Sequence, residues 1–304
     1  MSADRLYYKQ PVFRPPSEAE SLLVQATEGC THRCTFCISN YGKKYLVRPV
    51  EDIKKDIDTA KRLYGSNVTR IFFLDGNAMS MPFPDLLAIT EHAKITFPHL
   101  ERVGMYACGE DILAKTSDEL ETLQQAGLGI VYVGLESGDD EVLSAIKKHI
   151  TSAELVSAAR KVMAAGITFS GTIILGLAGA DPERSRAHAV HTAEMINAMN
   201  PGTPTTWYIG ALTLMVPPHT TIQQQVREGR FVVMSNLEVL QEIRILLENI
   251  DDSLAGCVFR SNHASNYLVL KGVLVKDKDR LIASVDRAID APGEVLRPER
   301  FRGL

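Results

Sequence analysis

Three cysteines, Cys30, Cys34 and Cys37, fall within eight residues of the segment EGCTHRCTFCISN (28–40), spaced C-x3-C-x2-C. Thiolates are soft ligands, and three on one loop can hold three irons of a cubane cluster while the fourth iron keeps no protein ligand. Structural zinc asks for four protein ligands, often as two pairs. No second pair follows, because Cys108 and Cys257 stand alone and far apart. A zinc site completed by His32, or a chance grouping of thiols, is the competing reading. An odd total of five cysteines, three of them clustered, is unlike a secreted disulfide framework and fits a reducing compartment.

The elements that must position this loop alternate in texture. Short apolar runs at 21–27, 69–75, 100–108, 128–135, 167–177 and 205–216 read as strands. Between them, 50–65, 83–95, 117–127, 152–166 and 181–200 carry helical spacing. Thr116 or Ser117 can cap the third of these, and Gly65, Gly127 and Gly166 stand where helices should stop. Strands alternating with helices build βαβ units around a parallel sheet. Roughly six units fall short of the eight-fold barrel. The expected fold is therefore α/β, an open partial (β/α)6 TIM-like barrel, with a doubly wound sheet as the alternative. In either, ligands bind at the carboxyl ends of the strands. A proline-bearing arm over 1–20 should lie on the surface, the barrel should span 21–216, and 217–304 should cover it as a helical and irregular cap.

The cysteine spacing, with Phe36 before the last cysteine and all of it after the first strand of a βα array, resembles the radical S-adenosylmethionine superfamily over about residues 20–215. The resemblance implies a [4Fe-4S] cluster on Cys30, Cys34 and Cys37, whose open iron is chelated by S-adenosylmethionine. Reductive cleavage then gives a 5′-deoxyadenosyl radical that abstracts hydrogen from a substrate, fed by an electron donor such as flavodoxin or ferredoxin. After the second strand such proteins often carry Gly-Gly-Glu against the methionyl ammonium; here Asp75-Gly76-Asn77 keeps one glycine of the three. GLESGDDEVL (134–143) resembles a stretch of the oxygen-independent coproporphyrinogen oxidase-like branch, which places Glu136 and Ser137 at the ribose hydroxyls. A carboxylate there can accept from both hydroxyls. Lys148, twelve residues on, matches a basic side chain facing the methionyl carboxylate; beside Lys147 it also reads as a solvated pair at a helix end. Ile174 and Gly176 fit half of a looser pattern near the adenine, with Thr172 and Gly179 departing from it.

Toward substrate, the polar stretch CVFRSNHASNYLVLKG (257–272) crowds Arg260, Asn262, His263, Ser265 and Asn266 into seven positions. Strand alternation would put Arg260, Asn262 and Ala264 on one face. An Asn/Ser-rich turn bonded to its own backbone is the plain alternative. The segment also resembles a set of radical S-adenosylmethionine proteins ending in an RSNHASNY-type motif. Arg260, Asn262, His263 and Asn266 are the expected substrate-side residues. Cys108, ending the third strand, joins them unless it is simply a buried small hydrophobe. Arg297, Arg300 and Arg302 either grip an anion or form a solvated end.

Composition narrows the classes. With 304 residues, 45% hydrophobic, 23% charged and a net charge of −4, the chain is an ordinary globular one. A pI near 6.1 speaks against a broad electrostatic grip on nucleic acid. No run reaches the eighteen or so apolar residues of a membrane span, and the first twenty residues lack a signal-peptide core. A cytoplasmic enzyme acting on a small or medium organic molecule is the expectation. Modification of RNA or protein, or a non-catalytic iron–sulfur or heme-trafficking role, is the alternative. With no further cysteine cluster after residue 37, tRNA methylthiolation is disfavoured.

Overall fold

The computed structural model describes residues 5–39, 41–203 and 205–303. It is a mixed α/β chain whose main sheet has eight strands. Two compact units divide it: one holds the chain up to Arg33 with Ser39–Val133 and Lys161–Phe169, the other Cys34–Ile38, Gly134–Arg160 and the chain from Ser170.

In the first unit, β1 (Leu22–Gln25), β2 (Arg70–Leu74), β3 (Arg102–Ala107) and the start of β4 (Leu128–Glu136) pair in parallel, with Val24 opposite Phe73 and Phe73 opposite Met105. The parallel arrangement follows from helical returns such as Val50–Tyr64, whose buried Ile53, Ile57 and Ala60 recur every three to four residues. Thr116, not Ser117, caps the helix Ser117–Ala126, in a full capping box with Glu119. Gly65, Gly127 and Gly166 all adopt positive φ and end their helices. One face of the strands gathers Phe72, Leu74, Ile130 and Tyr132, with Leu23 and Tyr106 against them.

The arm is less superficial than its prolines suggest. Tyr8 and Val12 pack on that aromatic face. Glu18 is fully buried and accepts hydrogen bonds from Ser21 Oγ (2.5 Å), Arg102 Nη2 (2.7 Å) and Tyr132 Oη (2.5 Å). Composition hides this because the partners lie far along the chain.

In the second unit, β5 (Thr168–Leu175, from Ser170), β6 (Trp207–Thr213) and β7 (Cys257–Arg260) are parallel, and β8 (Lys271–Val273) returns antiparallel to β7. At three residues, β8 is too short to show a period in sequence. Helices Pro182–Ala198, Asn236–Glu248 and Leu274–Asp290 accompany them, the middle one capped by a Ser235–Glu238 box. Among the described residues no helix is long and apolar enough to cross a membrane.

Candidate active site

In the first unit the cysteine loop is tied down by the residues that follow β2. Gly29, with φ +68°, precedes Cys30; a Cβ there would lie 3.2 Å from Lys44 O. Its N–H donates to Asp75 Oδ2 (3.3 Å), and Lys43 Nζ donates to the same oxygen (2.5 Å). Asp75 thus clamps the chain both before Cys30 and after Cys37. Burial pushes its carboxyl above the ordinary range, while Lys43 and the Gly29 N–H pull it back. Asn77, fully buried, donates to Thr31 Oγ1 (3.0 Å) and Asp111 Oδ2 (2.6 Å) and accepts from Cys108 N (3.2 Å). Two of the expected cofactor residues therefore spend their side chains on shaping the loop.

Cys108 follows β3 and is buried. His32, between Cys30 and Cys34, pairs through Nε2 with Glu110 Oε1. Donor atoms of His32, Cys108 and Glu110 lie within 4.8 Å of one another, so this trio has the ligand types for a divalent metal.

In the second unit, Cys34 and Cys37 are half-buried on one turn, closed by Cys37 N donating to Cys34 O (3.1 Å). Between them Thr35 N donates to Ile146 O (3.0 Å), and Thr35 O accepts from Ile222 N (2.9 Å). Phe36 is half-buried. None of the five cysteines is in a disulfide. Cys257 is buried, which pushes its thiol pKa up and makes it a poor ligand. Three thiols on one loop, neither oxidised nor matched by a second pair, fit an iron–sulfur cluster and not a four-ligand zinc site.

Glu136 ends β4 in a left-handed conformation, φ +65°, which is uncommon for a residue with a side chain. Its carboxylate meets Lys148 Nζ at 3.2 Å, and that ammonium also donates to Gly134 O (2.5 Å). The structure brings these two expected cofactor contacts together. The glycines of GLESG have separate reasons. A Cβ on Gly134 would sit 2.1 Å from Glu136 Oε1, and one on Gly138 would sit 2.3 Å from His191 O. Ser137 is fully buried and accepts from Asp139 N (2.9 Å), while Asp139 caps the next helix.

Ile174, near the end of β5, is buried, and Gly176, just after it, turns with φ +80°. Gly176 N donates to Glu242 Oε1 (2.7 Å). Glu242, fully buried, also accepts from Ser185 Oγ (2.7 Å) and pairs with His188 Nδ1 (3.2 Å). Sequence reasoning missed Glu242, Lys43 and Gly134. Only Gly134 had a signal, inside the quoted motif.

The polar stretch divides in two. The strand stops at Arg260, so the expected alternation does not continue through Asn262 and Ala264. Ser261 Oγ donates to Leu268 O (2.8 Å) and accepts from Leu270 N (2.8 Å). Asn266 donates to Ala211 O (2.8 Å) and accepts from Thr213 Oγ1 (3.0 Å). His263 Nδ1 lies 2.9 Å from Ser265 Oγ, and burial with nearby Arg297 pushes its pKa down. Asn262 is exposed. Arg297 Nη1 lies against the carbonyls of His263, Ala264 and Asn266, and Arg302 against that of Ser265, so two of the tail arginines are structural clasps.

Comparison with known proteins follows the same lines. The profile of the Radical SAM superfamily matches residues 24–189. A tRNA-2-methylthio-N(6)-dimethylallyladenosine synthase of Coxiella burnetii is 26% identical over 211 residues, covering 63% of this chain and 47% of that protein. The chain thus spans about half the length of this curated relative. Among solved structures, coproporphyrinogen III oxidase from Escherichia coli superposes with a TM-score of 0.56 at 17% identity, over 75% of this chain and 52% of that one. Methylornithine synthase superposes with a TM-score of 0.52 at 16% identity, over 92% and 83%. At such identities the structural likeness speaks for the fold alone.

Proposed function

The chain belongs to the radical SAM superfamily, and on that premise we propose that it acts on a small or medium organic molecule, with Cys30, Cys34 and Cys37 as the cluster ligands. It is an enzyme of a family that uses a [4Fe-4S] cluster and S-adenosylmethionine. When bound, these supply a 5′-deoxyadenosyl radical able to abstract hydrogen from carbon.

The chain's own residues prepare that chemistry. Asp75 and Asn77 brace the loop from Gly29 to Lys43, and Gly76 leaves backbone for the methionyl ammonium. Glu136 and Lys148 hold a charge pair that can open toward ribose hydroxyls and a carboxylate, with Ser137 fixing the turn behind them. Ile174 and Gly176 would border the adenine of the bound cofactor, and Phe36 would sit beside the last cysteine ligand. Within the second unit, Arg260, Asn262, His263 and Asn266 are the residues we assign to the substrate side.

This reading is supported by the three thiols of one short loop, none in a disulfide, and, separately, by the left-handed Glu136 held against Lys148. A second reading, modification of RNA, draws on the names of the sequence relatives. The net charge of −4 favours the first, since RNA binding draws on clustered basic surface. The reconstituted, reduced protein should release 5′-deoxyadenosine, and a pool of small metabolites should stimulate that release while bulk tRNA does not. Stimulation by tRNA alone overturns the small-molecule reading, and no release under any condition overturns the enzyme reading.

A further inference from the structure

The sheet of the second unit leaves part of one face only half-buried. Along β6 and β7 burial alternates residue by residue, and along β5 it alternates as far as Ile173, beyond which Ile174, on the Thr172 side, is buried. Gly171, Ile173, Ile209, Ala211 and Phe259 are buried, whereas Ser170, Thr172, Tyr208, Gly210, Leu212 and Arg260 are half-buried. Register sets Thr172 opposite Gly210 and Gly210 opposite Arg260, so the three form one row across the wall. A sheet face that packs on its own chain becomes fully buried, and this one does not. Gly210 widens the gap: a Cβ there would meet only Gly171 O, at 3.9 Å.

Arg260 is the one cation of these six wall residues. Its Nε is buried without a hydrogen-bond partner, and its guanidinium stands 5.2 Å from the centroid of the Tyr208 ring. Among the described residues it makes no ion pair. The nearby arginines are committed elsewhere, Arg297 to three carbonyls and Arg302 to Ser265 O and Glu299. A partly desolvated guanidinium without a counter-charge is costly and calls for an anion. Its planar fork matches a carboxylate. Lys271, opposite Arg260 in the antiparallel β8, is exposed, so Arg260 is the one half-buried cation of this row, and the hydroxyls of Ser170, Thr172 and Tyr208 offer only neutral donors around it.

We propose that the Arg260 wall binds the carboxylate of the substrate, so that the enzyme acts on a carboxylic acid. This rests on the small-molecule reading above and narrows it. Acetate, small enough to reach any such site, is the probe. Saturation transfer from the reconstituted protein to the acetate methyl group should give a dissociation constant in about the millimolar range. Acetamide on the same protein, and acetate on Arg260→Gln, should each bind at least about ten-fold more weakly. Saturating S-adenosylmethionine should leave acetate binding unchanged. Equal binding of acetamide, no effect of the substitution, or tighter binding of inorganic phosphate overturns the proposal. Displacement of acetate by S-adenosylmethionine also overturns it, because the anion would then be the cofactor's own carboxylate. Acetate binding requires no radical chemistry, so a wild-type protein that binds acetate yet releases no 5′-deoxyadenosine would refute the proposed function and leave the anion site standing.

Discussion

Gly134→Ala separates cofactor binding from folding. The new methyl carbon would lie 2.1 Å from Glu136 Oε1 and 3.0 Å from Lys148 Nζ, both flexible ends, with no backbone atom among the three nearest contacts. Ordinary contact needs about 3.5 Å, so the carboxylate must retreat by about 1.4 Å. Gly134 sits inside β4 without positive φ, and alanine there restricts the unfolded chain, which by itself favours folding by about 0.4–1 kcal/mol. That gain roughly offsets a loosened Glu136–Lys148 pair, and stability should move by no more than about 1 kcal/mol. Binding should suffer more. A carboxylate displaced from the ribose loses a charge-assisted contact of about 1.5–3 kcal/mol, which is about ten- to a hundred-fold in affinity. Anaerobic equilibrium dialysis of S-adenosylmethionine, beside urea unfolding of the same protein, reads both quantities. Glu136→Gln and Lys148→Met should weaken binding in the same direction. An alanine variant with wild-type affinity would refute the role given to Glu136, and one that unfolds would refute the claim that the clash is confined to side-chain ends.

Alanine at Cys30, Cys34 or Cys37 should abolish bound iron after reconstitution, while Cys108→Ala and Cys257→Ala keep it; iron analysis that shows a full cluster without Cys34 sinks the ligand set. Glu18→Ala should cost about 2–4 kcal/mol in urea unfolding, because it removes the counter-charge of Arg102 and leaves the Tyr132 hydroxyl with Ser17 alone; a loss under about 1 kcal/mol would mean water replaces the carboxylate. His263 has a folded pKa below its ordinary 6.5, so the unfolded chain takes up its proton first and the contribution to stability is lost as pH falls below 6.5. His263→Gln should flatten that acid-side decline, and an unchanged pH profile would assign it to other groups.

The sequence carried what is local. The thiol spacing, the GLESG motif and the helix stops at Gly65, Gly127 and Gly166 are contained in short windows. Hidden from it were contacts joining distant segments. Glu242 arrives at Gly176 from 66 residues away, and Glu18 reaches Tyr132 across 114. Such partners leave no periodicity. The polar stretch is hard to read for a different reason. Ser265 and Asn266 stand in that stretch as polar groups, and their hydrogen bonds to Thr213 N and Ala211 O show that they also hold the chain together. Arg260 stands apart from them only because the structure shows its fork without a partner.

Release of 5′-deoxyadenosine from S-adenosylmethionine by anaerobically reconstituted, dithionite-reduced protein, with Cys30→Ala alongside, is the most direct test of radical chemistry on this cluster. Release by the wild type and none by the variant is the predicted result. A wild-type protein that carries its full cluster, binds S-adenosylmethionine and still leaves it intact would contradict the account.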